Sequence, residues 1–200
     1  MPQLELATTE LIGSQRAERL ATDLRRHLDV AGPYTIARRS ADQLPQYIQL
    51  LGDHALWAAL AVPATVFLTS FLQTLGRRAA DATWDGVAAL LKKDKVKPLA
   101  DVATALADAK RSGIEIVVGL DIPDRYFGTV LRITADSAED IALPLAVFVT
   151  RADELSAIMK AEVEAGRAPL GRALITLEED GGLTVRWRCK NFAEHVMRIP

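Results

Sequence analysis

The run from Ala55 to Gly76, ALWAALAVPATVFLTSFLQTLG, carries no charged residue and is closed by Arg77 and Arg78. As a helix rising about 1.5 Å per residue it would reach about 33 Å, enough to cross a hydrocarbon core of about 30 Å. A stretch of this kind has three destinations: a bilayer, the protein interior, or an interface. Leu56, Leu60, Val62, Val66, Phe67, Leu68, Phe71, Leu72 and Leu75 would together contribute about −3 to −5 kcal/mol at a bilayer centre. Pro63, Thr65, Thr69, Ser70, Gln73 and Thr74 oppose insertion. Thr65, Thr69 and Gln73 recur every fourth residue, so they form one polar stripe and give the helix a distinct second side. That stripe is the helix's candidate ligand-binding surface.

The flanking segments weigh against a span. A single crossing would leave residues 1–53, with one helix and two short strands, to form a core alone on one side of the membrane, and so short a segment does that poorly. If the N-terminal strands instead join the C-terminal sheet, both halves share a side and the apolar helix is buried in the fold or in an oligomer interface. Arg38 and Arg39 dilute the charge asymmetry that Arg77 and Arg78 would supply to a span. The N-terminal MPQLELATTE lacks the basic and apolar regions of a secretory signal. The expectation is therefore a cytoplasmic protein, with membrane association through 55–76 as the alternative.

Two hundred residues fit one domain, and 50% hydrophobic with 25% charged residues is a globular composition. The net charge of −2 supplies no global field for a polyanion, so nucleic acid is not an expected partner. The single cysteine, Cys189, excludes an intramolecular disulfide and a multi-cysteine zinc site.

Along the chain, Leu4 and Leu6 alternate as in a short strand. Ala17, Leu20, Leu24 and Leu28 have helical spacing, stopped at Ala31-Gly32-Pro33. Tyr34–Ser40 is a second strand candidate. Ser40 and Gln43 then form a capping box ahead of Leu44, Ile48 and Leu51, a helix expected to run straight into the apolar stretch. The helical pattern continues through Ala82, Val87, Leu90 and Leu91, and the basic segment 92–98 is a candidate internal linker. Leu99, Val102, Ala103 and Leu106 mark a further helix ended by Gly113, before a strand over Ile114–Leu120. Tyr126–Thr134 and Leu143–Thr150 read as strands, and Leu155, Ile158, Met159 and Val163 as one helical face. The clearest signal is a hairpin: Ala173, Ile175 and Leu177 alternate, 179–182 turn, and Leu183, Val185, Trp187 and Cys189 alternate on the return. The fold class that results is α+β, a mixed and mostly antiparallel sheet with a long, highly apolar central helix, in a single domain over 1–200.

Chemistry is sparse. His27, His54 and His195 are scattered and stand in no metal-binding spacing. Asp53 and His54 point about 100° apart on a helix, so they cap it rather than transfer protons between them. Asp121 and Asp124 follow the Ile114–Leu120 strand, where catalytic or ligand-binding carboxylates often sit, although an acidic turn nucleated by Pro123 explains the same residues without chemistry and is the preferred reading. Cys189 and His195 would make a thiol-imidazole couple, but Cys189 shares the inward parity of Val185 and Trp187, which predicts a buried, inert thiol. Arg186, Arg188 and Lys190 share the opposite face, a surface for an acidic partner or a solvated face paired with Glu178 across the hairpin.

The order strand, helix, strand, apolar helix in residues 1–76 loosely resembles small accessory domains attached to bacterial conflict-system effectors; no residue role is carried over from it. With no catalytic constellation, metal set or cofactor motif in the sequence, the expected function is a non-catalytic interaction or regulatory module that binds itself or a protein partner. The alternatives are a membrane protein anchored by 55–76, and an enzyme or small-ligand binder around Asp121 and Asp124.

Overall fold

A mixed eight-stranded sheet in the order β2-β1-β3-β4-β5-β6-β7-β8 organises the chain. The computed structural model describes residues 4–9, 14–26, 29–36, 48–52, 54–75, 83–111, 113, 115–120, 129–178 and 181–200. Its elements in order are β1 (Leu4–Thr9), α1 (Ser14–Arg25), β2 (Val30–Ile36), β3 (Ile48–Gly52), α2 (His54–Leu75), α3 (Thr83–Leu91) and α4 (Lys97–Arg111). There follow β4 (Ile116–Leu120), β5 (Thr129–Ile133), α5 (Ala138–Thr150), α6 (Ala152–Glu164), β6 (Ala173–Leu177), β7 (Leu183–Arg188) and β8 (Glu194–Ile199). The pairs β1/β2, β3/β4 and β5/β6 are parallel and the other four antiparallel, so the sheet is mixed and mostly antiparallel as the sequence predicts.

Register puts one row of apolar side chains across the sheet: Leu6, Leu50, Val118, Leu131, Ile175, Val185 and Met197 lie opposite one another from β1 to β8. The helices bury their apolar faces on this row and form one continuous core with it. The second face carries Gln49, Val117, Val130 and Leu174, with Val117 and Val130 in a separate small cluster. Gln49 is only 1% exposed, and its Oε1 meets no hydrogen-bond donor among the described residues.

The apolar run forms α2, but as a surface helix of the core layer and not a helix enclosed on all sides. Leu56, Trp57, Leu60, Ala64 and Phe67 are buried, while Ala58, Ala59, Val62, Thr65 and Thr69 are exposed, Val62 at 70%. Trp57 meets Phe148 of α5 edge-on at 5.5 Å, and Phe67 stacks on Phe71 at 6.1 Å. Among the described residues no helix is long and apolar enough to cross a membrane.

Three expectations are corrected. Ile48–Gly52 is a strand and not the C-terminal part of a helix, because it pairs on both sides, with β1 and β4; Ser40, Gln43 and Leu44 lie outside the described residues. Leu143–Thr150 is the second half of α5 and not a strand. Its N-cap Ser137 accepts from the Asp140 N–H at 3.1 Å, with Glu139 and Asp140 in the first turn, and the apolar residues after this start then fall on a helical repeat, burying Leu145, Phe148 and Val149. Ala31-Gly32-Pro33 lies inside β2 and does not separate elements.

Gly52 shows how closely β3 and α2 meet. The Trp57 Nε1 donates to the Gly52 carbonyl at 2.9 Å, and a Cβ on Gly52 would lie 2.5 Å from Trp57 Cε2 and 2.7 Å from Leu56 Cδ2. The indole is tied by its own hydrogen bond, so it has little room to yield. Gly52→Ala is expected to lower stability by about 1–3 kcal/mol in urea titrations; an unchanged midpoint would mean that the indole swings away.

Candidate functional site

The hairpin read in the sequence continues into a third strand that the alternation of Glu194–Ile199 only faintly signals. After β7 the chain turns tightly: the Phe192 N–H donates to the Cys189 carbonyl at 2.8 Å and the Cys189 N–H to the Ala193 carbonyl at 3.0 Å. Phe192 takes φ 62°, a left-handed conformation that a bulky side chain rarely adopts, and its ring is 73% exposed. β8 then pairs with β7 in the register Trp187↔His195, Val185↔Met197 and Leu183↔Ile199. His195 stacks on Trp187 at 5.5 Å and Met197 packs on the core. The opposite face presents Glu194, Val196 and Arg198, all exposed, Val196 at 58%.

Among the described residues β8 ends the sheet, and its backbone parity follows from the ladder. The closing bond at Cys189 and Ala193 makes Trp187/His195, Val185/Met197 and Leu183/Ile199 the hydrogen-bonded pairs. Glu194, Val196 and Arg198 consequently turn their N–H and C=O groups away from β7, toward the open side. The other edge, β2, is built differently. Pro33 removes a donor from its middle, its register with β1 shifts between Glu5 and Ala7, and the Arg25 guanidinium donates to the carbonyls of Val30, at 3.2 Å, and Gly32. One edge is blocked by these devices; β8 has no proline within it, and Pro200 comes only after its end.

Beneath the hairpin lies a fixed polar cluster. Arg167 donates to both oxygens of Glu162, at 2.6 and 2.8 Å, and its guanidinium hydrogen bonds hold the Glu162 carboxyl below the usual range although burial pushes the other way. The Arg167 carbonyl accepts from Trp187 Nε1 at 2.9 Å and from Cys189 Sγ at 3.2 Å. The thiol is buried, as its inward parity predicts, and hydrogen-bonded. Among the described residues no group of three or more His, Cys, Asp and Glu could hold a metal ion.

Of the residues singled out in the sequence, the described ones fall in two places, Thr65 and Thr69 on α2 and Arg186, Arg188 and Lys190 on the β7–β8 hairpin. Thr65 and Thr69 are on the exposed face of α2, and the Thr65 hydroxyl donates to its own helix at the Ala61 carbonyl, 2.8 Å away. Residue 73 belongs to the same helix, but the Gln73 side chain, like Asp53, Asp121 and Asp124, lies outside the described residues. Arg186 and Arg188 are exposed on β7, and Lys190 is in the turn. The acid that Arg186 meets is Glu194 of β8, at 3.6 Å, and not Glu178: Arg186 stands opposite Leu174 on β6, while Glu194 is its diagonal neighbour on β8. The edge residues Glu194, Val196 and Arg198 escaped sequence reasoning because an apolar residue between two charges resembles an ordinary solvated turn.

No family model matches the sequence, and neither a curated protein nor a solved structure matches the chain.

Proposed function

We propose that this chain is a non-catalytic interaction module that works through the open edge of β8. The observation that carries the reading is the difference between the two ends of one sheet: β2 has its backbone blocked by Pro33 and Arg25, whereas β8 turns the amides of Glu194, Val196 and Arg198 outward beside an exposed Val196 and Phe192. The cysteine and the buried carboxylate of the neighbouring cluster are both engaged by hydrogen bonds, which leaves them to structure and not to chemistry. Leu56, Trp57, Leu60 and Phe67 of α2 likewise go to the core, a use that withdraws these side chains from any bilayer.

Val196→Pro tests the reading. Proline there deletes an outward N–H without touching a bond to β7, so the variant is expected to keep its circular dichroism and to melt within a few degrees of the wild type while losing concentration-dependent association in sedimentation equilibrium. Association that survives in a folded Val196→Pro protein would place the contact elsewhere. A wild type that remains monomeric yet is stabilised by a metabolite or metal would replace the reading with a ligand-binding one.

A further inference from the structure

We infer that the occupant of the β8 edge is a second copy of the chain, added antiparallel about a two-fold axis at Val196. The inference rests on the interaction reading above and names its partner. With Val196 opposite its own copy, residue numbers across the seam sum to a constant, so Glu194 faces Arg198 of the second copy and Arg198 faces its Glu194. Both ends of the seam therefore join opposite charges, around an apolar Val196 pair, on the second face of the sheet, where these three residues of β8 are exposed. The backbone demands the same register. Glu194, Val196 and Arg198 are the residues whose amides point outward, and an antiparallel ladder forms its close hydrogen-bonded pairs between such residues, giving on the order of six bonds here. A shift of one residue would oppose outward amides to inward ones; a shift that keeps parity would break the charge match. On the core face His195 would meet Met197 of the second copy, and at the ends the exposed Phe192 would lie against Pro200 of the second copy.

Charge exchange and cross-linking together test this pairing. Glu194→Arg and Arg198→Glu each place like charges at both ends of the homodimer seam and are expected to weaken self-association at least about tenfold. An equimolar mixture of the two variants restores both pairs and is expected to form heterodimers at wild-type affinity or better. Arg198→Glu leaves the internal Arg186–Glu194 contact intact, so its effect cannot be assigned to loss of that ion pair. In a Cys189→Ala background, Val196→Cys would bring two thiols together at a Cα separation of about 5.5 Å, within disulfide range. It is expected to form covalent dimers on mild oxidation, whereas Thr176→Cys, exposed on the same sheet face but on β6, is not.

A wild type that sediments as a monomer at every concentration overturns the inference. So does association in which Val196→Cys cross-links no faster than Thr176→Cys and the mixed charge variants show no preference for each other. In that second case an interaction lost with Val196→Pro still stands, with a different partner or register.

Discussion

Phe67→Asp is expected to yield no soluble folded protein. Phe67 is fully buried where α2 meets the core, its ring stacked on Phe71, and the substitution removes that ring and buries a carboxylate among apolar side chains. Loss of a buried Phe alone costs about 3–5 kcal/mol, and an unpaired buried charge adds several more, a sum that falls within the roughly 5–15 kcal/mol that holds a typical domain folded. The companion variant lies five residues earlier on the same helix. Val62 is 70% exposed, so Val62→Asp is expected to shift stability by no more than about 0.5 kcal/mol. Soluble yield, circular dichroism and urea titration of the pair distinguish a helix with one buried face from one enclosed on all sides or embedded in a bilayer, where both substitutions would be disruptive.

Trp187→Ala should be the most damaging change within the hairpin, by about 3–5 kcal/mol. The indole is 2% exposed, stacks on His195 and donates to the Arg167 carbonyl, so it joins β7, β8 and the segment after α6. The carbonyl would still accept from Cys189, which makes lost volume and not an orphaned acceptor the main term. Trp187→Phe keeps a ring but gives up the N–H, and should lose a smaller amount, about 1–2 kcal/mol. Urea midpoints of the two variants provide the comparison; equal losses would mean that the hydrogen bond outweighs the packing. Because β8 rests on this indole through His195, a folded Trp187→Ala protein should also associate less well than wild type.

Which parts of this arrangement were legible in the sequence depended on how local their causes are. The β6–β7 hairpin was, since alternation of Ala173, Ile175 and Leu177 against Leu183, Val185 and Trp187 needs only a two-residue period and the glycines at 181–182. The turn is closed by the Glu178 N–H on the Gly182 carbonyl at 2.9 Å, with Gly181 at φ 85°. α4 was legible for the same reason, its spacing of Leu99, Val102, Ala103 and Leu106 ending at Gly113 with φ 80°. Short apolar runs were ambiguous. Leu143–Thr150 and Ile48–Leu51 each suit a buried strand or a buried helix, and the former became helix because Ser137 caps its start, a signal that lay six residues upstream of the run.

The candidate site was less legible still. Its residues are unremarkable singly: Glu194, Val196 and Arg198 acquire meaning only once β7 fixes their parity and the sheet order leaves β8 at an end. The polar stripe on α2, which periodicity does predict, is visible in Thr65 and Thr69, yet both face outward and line no interior surface.

The amino-acid sequence by itself determined that the charge-free run from Ala55 would form a long helix with two unlike sides, that the sheet would be mixed, and that Cys189 would point inward, because backbone period and side-chain polarity act over a few residues. Tertiary structure decided which side of that helix met the core, which apolar runs became strands, and which edge of the sheet stayed open. Those outcomes depend on partners far away in the chain, Phe148 for Trp57 and β1 and β4 for Ile48–Gly52, and no local pattern encodes a neighbour that only folding supplies.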